Sequence, residues 1–98
     1  MIRVIIERNI KDGCFHDYLD MIRRARKQAT AIEGFIAGEL LQERDNQNRA
    51  VIISSWENIE AWEKWLGSNE RQEVLNDMRP LLESDEKVTV LESSQLLK

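Results

Sequence analysis

The spacing of the apolar residues changes along this chain, and the order of the changes limits the fold more than any other feature. Stretches rich in β-branched and apolar residues predict strands. Stretches with apolar residues at intervals of three and four predict helices with one buried face. The predicted strands cover residues 2–8, 35–42, 49–56 and 87–92, and the predicted helices cover residues 15–32, 59–66 and 70–79.

Turn and capping residues mark the boundaries between these segments. Gly34 suits the end of the first helix, and Asp and Asn residues at 45–48 predict the turn between the two middle strands. Asn58 is expected to cap the second helix, and residues 67–69 interrupt the helical pattern. Pro80 is expected to end or kink the third helix.

The resulting order is β-α-β-β-α-β, with the second helix broken in two. This order predicts an α+β fold of the ferredoxin-like, split βαβ type, a four-stranded antiparallel sheet with helices on one face. The length of 98 residues suits a single domain over residues 1–98. The tail from about residue 93 is expected to be flexible.

Composition excludes several classes of function. The net charge of −4 and the lack of a Lys/Arg run argue against a nucleic-acid partner. No apolar stretch approaches the roughly 18–20 residues that cross a bilayer, so no membrane association is expected. The charged N-terminus does not resemble a secretory signal, and Cys14 is the only cysteine. These features predict a cytoplasmic protein without an internal disulfide.

The strands are apolar on both faces, which is unusual for a sheet with helices on one side only. In the first strand Ile2, Val4 and Ile6 share one face, yet Ile5 lies on the other. Residues 50–53 are apolar without alternation. An apolar sheet face left in water would be a large exposed patch, so the chain is expected to form a homodimer through the helix-free sheet face.

Three tryptophans lie within ten residues, Trp56, Trp62 and Trp65. Such side chains can line a pocket for an organic ligand or fill a small core. Ile59, Trp62 and Leu66 share a helical face, which predicts a core position for Trp62. Trp65 is expected at the flank of that face, and Trp56 at the strand end where a pocket could open.

Several short motifs resemble one known family. They are Glu-Gly-Phe-Ile-Ala-Gly-Glu at residues 33–39, Ser-Trp-Glu at 55–57, Glu-Ala-Trp at 60–62 and Leu-Gly-Ser at 66–68. With the β-α-β-β-α-β order they resemble the antibiotic biosynthesis monooxygenase (ABM) domain, and the resemblance covers essentially the whole chain. It implies a dimeric α+β barrel. Relatives include cofactor-independent quinone-forming monooxygenases, haem-degrading monooxygenases and small domains without an assigned role.

The match to the oxygenases of this family is incomplete. Trp56 matches their tryptophan at the end of the third strand. Trp65 and Glu70 stand where many members carry histidines. Leu75 stands where the haem-degrading branch has its iron-ligating histidine, and Glu7 where that branch has asparagine. Because leucine cannot bind iron, haem degradation is disfavoured.

Two classes of function remain open. One is a cofactor-independent monooxygenase acting on a small aromatic or quinol-type substrate, and the other is a non-catalytic dimeric module that binds a small aromatic ligand. In either case the expected substrate-binding residues are Trp56, Trp65, Phe35 and Met78. Glu7 is the candidate general base, with a buried ion pair as the structural alternative.

No cofactor and no metal are expected. His16 is the only histidine, and its helical neighbours Asp20, Arg23 and Lys27 predict an exposed polar face. One histidine and one cysteine cannot supply a His/Cys metal site. Cys14 precedes the first helix, where it is either a reactive thiol or, as the sequence favours, a half-buried passive one.

Overall fold

The computed structural model describes all 98 residues and has the predicted α+β fold. The elements are β1 Ile2–Asn9, α1 Phe15–Ala29, β2 Phe35–Glu43, β3 Asn46–Trp56, α2 Ile59–Leu66, α3 Asn69–Met78, a 3₁₀ turn at Arg79–Leu81, and β4 Lys87–Glu92. The four strands form one antiparallel sheet in the order β2-β3-β1-β4, with the helices on one face. None of the helices is both long enough and apolar enough to span a bilayer.

Two predicted boundaries are wrong by about three residues. The first helix ends at Ala29 rather than at residue 32, because the chain turns there and Ile32 N–H donates to Ala29 C=O at 3.0 Å. The third strand begins at Asn46 rather than at residue 49. The hairpin loop is shorter than the Asp/Asn run suggested, since Asn46 already pairs with Glu43.

Alternation along β1 decides which face of the sheet the helices cover. Ile2, Val4 and Ile6 are buried under the helices, and Arg8 continues that face with 6% of its surface exposed. Arg3, Ile5 and Glu7 point to the helix-free face. Because directly paired residues share a face, the partners in β3 follow the same division. The helix-free face therefore has an apolar centre formed by Ile5, Val51 and Ile53.

The buried face of α2 differs from the predicted one. Ala61, Trp62 and Trp65 are buried, whereas Leu66 is 39% exposed. Both sets of residues fit the spacing of a helix, so the pattern alone could not choose between them. Trp65 packs in the same cluster as Trp56, which fixes the rotation of the helix.

The core under the helices consists of two clusters. One surrounds Trp56, Trp62 and Trp65 at one end of the sheet. The other includes Tyr18 and Met78 at the opposite end. Arg8 lies farther along β1 than the residues of the first cluster. A cavity lies between the two clusters and is lined by residues of both.

Gly34 should be intolerant of a side chain for two separate reasons. Its φ of +97° disfavours any L residue, and an added Cβ would lie 2.7 Å from Ala61 Cβ. Gly13 has a φ of +78° with no atom within 4 Å of an added Cβ.

We therefore expect Gly13→Ala to lower the free energy of unfolding by about 1 kcal/mol and Gly34→Ala by about 3 kcal/mol. Urea unfolding measures both, and equal losses would contradict the close contact with Ala61.

Candidate functional site

A cavity of about 230 Å³ lies between the sheet and the helices. It is lined by 20 residues, 14 of them hydrophobic, from three strands and all three helices. Its volume is below the roughly 300–1,000 Å³ of pockets for drug-sized ligands, so it suits a compact molecule. It reaches the surface between α1 and β2, where the lining residues Arg26, Gly38 and Glu39 are exposed.

The four expected substrate-binding residues meet around this cavity. Phe35 from β2, Trp56 from β3, Trp65 from α2 and Met78 from α3 all line it. They come from four different elements, and each lies on the side of its element that faces the layer between sheet and helices. The structure thus brings these residues together, and their contact with a ligand stays a prediction.

The aromatic side chains form a continuous wall. The ring of Trp56 lies edge-on to Phe35, with centroids 5.0 Å apart, and to Trp62, with centroids 5.7 Å apart. Trp56 Nε1–H donates to Ser54 Oγ at 3.0 Å inside the protein. Its indole is therefore held by packing and by a hydrogen bond, and a ligand would meet a rigid surface.

The three tryptophans both fill the core and line the cavity, whereas the sequence left a choice between these two roles. Trp56, Trp62 and Trp65 are 1%, 2% and 6% exposed, so they belong to the core. All three also line the cavity. Since the chain has only three tryptophans, its tryptophan fluorescence reports on this cavity alone.

A buried cluster of charges lies at the polar side of the cavity. Arg8 donates from Nε at 3.0 Å and from Nη2 at 2.7 Å to Glu86 Oε1. Arg71 Nη2 donates to Glu86 Oε2 at 2.8 Å. Arg8 Nη1 also donates to the hydroxyl oxygen of Tyr18 at 3.1 Å. Two guanidinium groups therefore share one carboxylate. Both arginines also line the cavity.

The start of α3 positions Arg71. The Ser68 hydroxyl oxygen accepts from Arg71 N–H at 3.1 Å and caps the helix, while its O–H donates to Trp65 C=O at 2.7 Å. The guanidinium carbon of Arg71 lies 5.8 Å from the ring centroid of Trp62. The Ser68 hydroxyl therefore hydrogen-bonds to the backbone of both α2 and α3, and it holds the first turn of α3, which carries Arg71, in place.

The environment changes the titration of two groups in this cluster. Burial of Glu86 opposes its charged form, but the neighbouring Arg8 and Arg71 outweigh that effect, and the pKa of Glu86 is lowered. Burial raises the pKa of Tyr18 despite the opposing effect of Arg8. At neutral pH the cluster therefore contains two cations, one carboxylate and a neutral phenol.

Glu7 lies outside the cavity. It is on the helix-free face, where its carboxylate accepts from Arg49 Nη2 at 2.7 Å and lies 4.0 Å from Lys87 Nζ. The candidate general base thus lies on the opposite side of the sheet from the cavity, because the strand alternates and Glu7 faces away from the helices. Glu7 does form an ion pair, although its side chain is 26% exposed, and its catalytic role stays a prediction without support from this geometry.

The remaining sequence candidates are also located. His16 is exposed near the start of α1, as expected, and Cys14 is half-buried. Leu75 lines the cavity. No group of three or more His, Cys, Asp or Glu side chains is arranged to hold a metal ion.

Sequence reasoning missed Arg8 and Arg71, although both carry a signal. Arg8 follows Ile6 by two residues and so belongs to the buried face of the strand. Arg71 precedes Val74 and Met78 by three and seven residues, which is the spacing of one helical face. Glu86 has no such signal, because it lies outside any periodic segment.

Comparisons with known proteins place this geometry in context. The sequence profile described as antibiotic biosynthesis monooxygenase matches residues 1–76. The protein SchA of Streptomyces halstedii is 29% identical over 79 residues, which is 81% of this chain. The 42.8 kDa protein in the whiE locus of Streptomyces coelicolor is 28% identical over 80 residues, or 82% of this chain. The chain spans about a fifth of the length of these curated relatives, 21% and 19%.

The fold is also similar to solved structures. SnoaB from Streptomyces nogalater, described as a cofactor-independent oxygenase, superimposes with a TM-score of 0.87 at 20% identity. The match covers 98% of this chain and 95% of SnoaB. At this identity the likeness concerns the fold.

The buried charge cluster should make stability depend on pH. Glu86→Gln leaves two buried guanidinium groups without a carboxylate, so we expect a loss of about 3 kcal/mol at pH 7. Because the folded-state pKa of Glu86 is lowered, its ionised form stabilises the fold above its usual pKa of 4.5 and ceases to do so as pH falls through the lowered value. The difference between wild type and Glu86→Gln should therefore shrink in acid. Urea unfolding from pH 7 to pH 3 measures it, and a constant difference would contradict the ionised cluster.

Proposed function

The chain belongs to the antibiotic biosynthesis monooxygenase family, and we propose that it is a cofactor-independent monooxygenase of a small quinol-type or anthrone-type aromatic. The observation that carries this proposal is the apolar cavity walled by Phe35, Trp56, Trp62 and Trp65. Planar aromatic molecules gain roughly 0.5–1.5 kcal/mol by stacking on such rings beyond the burial of their surface. The family and the shape of the cavity support the same class of substrate.

The proposed reaction converts a ring CH₂ or activated C–H of the substrate into a carbonyl. The ionised substrate supplies electrons to O₂, a C–O bond forms, and the resulting peroxide loses water. One oxygen atom enters the substrate and the other leaves as H₂O. Because the substrate provides the electrons, one O₂ is consumed for each substrate and no external reductant is needed.

The protein contributes surroundings rather than a reactive group in this scheme. The cavity removes the substrate from bulk water, which strengthens electrostatic effects on a developing charge. The edge-on contacts of Trp56 with Phe35 and Trp62 hold that wall rigid, so a substrate plane has a defined orientation.

A non-catalytic binding module is the second candidate, and one observation favours it. No histidine lines the cavity, since Trp65 lies at one position where relatives carry histidine and Glu70 is exposed. Glu39 is the only carboxylate residue of the lining, and it pairs with Ile53 on the helix-free face. The cavity thus has no evident general base. Haem degradation is not proposed, because Leu75 lines the cavity and cannot ligate iron.

The proposed functional unit is a homodimer joined through the helix-free faces of the sheets. Apolar residues occupy that face on four strands. They are Ile5, Leu41, Val51, Ile53 and Leu91. Leu41 and Leu91 are 38% and 45% exposed in a single chain. Covering this face with a second copy would bury it, and closed two-fold pairs are the commonest oligomers.

Oxygen uptake with a panel of anthrones and hydroquinones tests the proposed activity. We expect wild type to consume one O₂ per substrate and Trp56→Phe to lower the rate by about tenfold, because the indole and its hydrogen bond orient the substrate. Leu66→Ala, on the outer surface of α2, is the matched control. Glu7→Gln in the same assay tests the role that the sequence suggested for Glu7. Quenching of tryptophan fluorescence without oxygen uptake would favour the binding module. If the compounds cause neither oxygen uptake nor quenching, the proposed ligand site is contradicted.

Light scattering tests the dimer. We expect a mass of twice the 11.5 kDa of one chain at micromolar concentration. Ile53→Asp places a charge at the centre of the helix-free face and should give monomers, because an unpaired charge in an apolar interface costs several kcal/mol. Leu66→Asp introduces the same charge outside that face and should leave the dimer intact. A wild-type mass of 11.5 kDa would rule out the proposed interface.

A further inference from the structure

Gly38 is a glycine for which the fold itself gives no reason. The other three glycines, Gly13, Gly34 and Gly67, lie in turns. Gly38 lies inside β2, pairs with Ser54 of β3 and has no positive φ. A glycine inside a strand weakens the strand, because it has no side chain to pack and loses much backbone freedom on folding.

A side chain would fit at Gly38. A Cβ at this position would lie 3.8 Å from Cζ of Phe35 and 3.9 Å from the carbonyl oxygen of Ile53, which are ordinary van der Waals distances. It would meet no other non-neighbouring residue within 4 Å. The β-bulge of this strand lies between Phe35 and Ala37, ahead of the regular pairing of Gly38. Crowding, backbone conformation and the bulge therefore all leave room for a larger residue.

The bulge explains how Phe35 comes to lie beside Gly38 on the cavity wall. Gly38 pairs with Ser54 on the face under the helices, and strict alternation would place Ile36 on that face as well. Because the bulge inserts one extra residue, Ile36 is 46% exposed and Phe35 takes the inner position opposite Trp56. The ring of Phe35 and the bare backbone of Gly38 thus form adjacent parts of one wall.

Gly38 also lies at the opening of the cavity. The opening lies between β2 and α1, where Gly38 and Arg26 are exposed, whereas Trp56 on the inner wall is 1% exposed. Ala25 of α1 belongs to the lining and has a small side chain too. A glycine within a strand often marks a place where a ligand passes close to the backbone. The absent side chain keeps the opening free on the β2 side.

The volume of the cavity gives this free opening a use. It is about 230 Å³, below the roughly 300–1,000 Å³ of pockets that enclose drug-sized ligands. A compact ring system fits inside, whereas a larger aromatic molecule cannot be enclosed completely. A ligand of that size has to extend through the opening, and the backbone of Gly38 is where it passes the sheet.

We propose that Gly38 is a specificity-determining residue, which admits aromatic ligands whose rings lie against the tryptophan wall and whose apolar substituent extends outward over its backbone. The proposal rests on the proposed function and narrows the substrate class to aromatics that carry a chain or a further ring. Phe35 and Ala25 flank the path of the substituent with apolar surface. Beyond them the end of the substituent reaches water.

Calorimetric titration of wild type with 1-naphthol and with 4-butoxy-1-naphthol compares one ring system without and with an apolar chain. We expect the butoxy compound to bind at least as tightly as 1-naphthol, because the chain leaves through the opening and buries further apolar surface on its way. Weaker binding of the butoxy compound to wild type would overturn the proposal, since the opening would then not admit the chain.

Gly38→Val places a branched side chain at the opening. It should weaken binding of the butoxy compound by about tenfold and change the affinity for 1-naphthol by no more than about twofold. Gly38→Ala should cause a smaller loss for the butoxy compound alone. Gln42→Val is the matched control, because Gln42 lies on the same face of β2, outside the cavity lining, and it should leave both affinities unchanged. Equal changes for the two compounds in both Gly38 variants would overturn the proposal.

Urea unfolding of Gly38→Ala tests the premise that the fold does not need glycine here. The midpoint should stay the same or rise, because the added methyl group has room and the unfolded chain loses freedom. A lower midpoint would give Gly38 a structural reason and overturn the proposal. Binding of neither naphthol to wild type would refute the ligand site itself, whereas binding of 1-naphthol alone would refute only the role of Gly38.

Discussion

The carboxylate of Glu86 is the point on which the arrangement around the cavity depends. It holds Arg8 from β1 at 2.7 Å and Arg71 from α3 at 2.8 Å, and it lies just before β4. Apolar side chains of similar volume are often at least as stable as such a buried ion cluster. Stability alone therefore gives no reason for two arginines at this place. Both arginines line the apolar cavity, so the cluster that Glu86 holds together forms the polar side of that cavity.

The fold could be predicted because its signals are local. Strand and helix spacings identify the elements, and Asn58 Oδ1 accepts from Ala61 N–H at 2.9 Å as a helix cap should. The cavity residues Trp56 and Met78 could be predicted because each lies on the inner side of its own element. Glu86 could not, since its partner Arg8 is 78 positions away and no periodicity surrounds it.

The misplacement of Glu7 has a different physical cause. Because side chains alternate along a strand, Glu7 and Ile5 share a face of β1. Both faces of this strand carry apolar residues, so alternation alone does not say which face the helices cover. Which face the helices cover is decided by the path of the connections and by the buried surface of the whole sheet. The run Ile2, Val4 and Ile6 is the more apolar of the two, and it is the one that the helices cover. The same rule would have placed Arg8 inside.

The two faces of the sheet complement each other energetically. The side chains that line the open cavity lack packing partners on one side, which weakens the core under the helices. A domain of 98 residues has a total stability of only about 5–15 kcal/mol, so even a small loss of packing matters. The apolar centre around Ile5, Val51 and Ile53 can offset it when a second copy covers that face. Pairing on one side of the sheet would thus allow the other side to keep an unfilled space, and a ligand that fills it would recover the remaining packing.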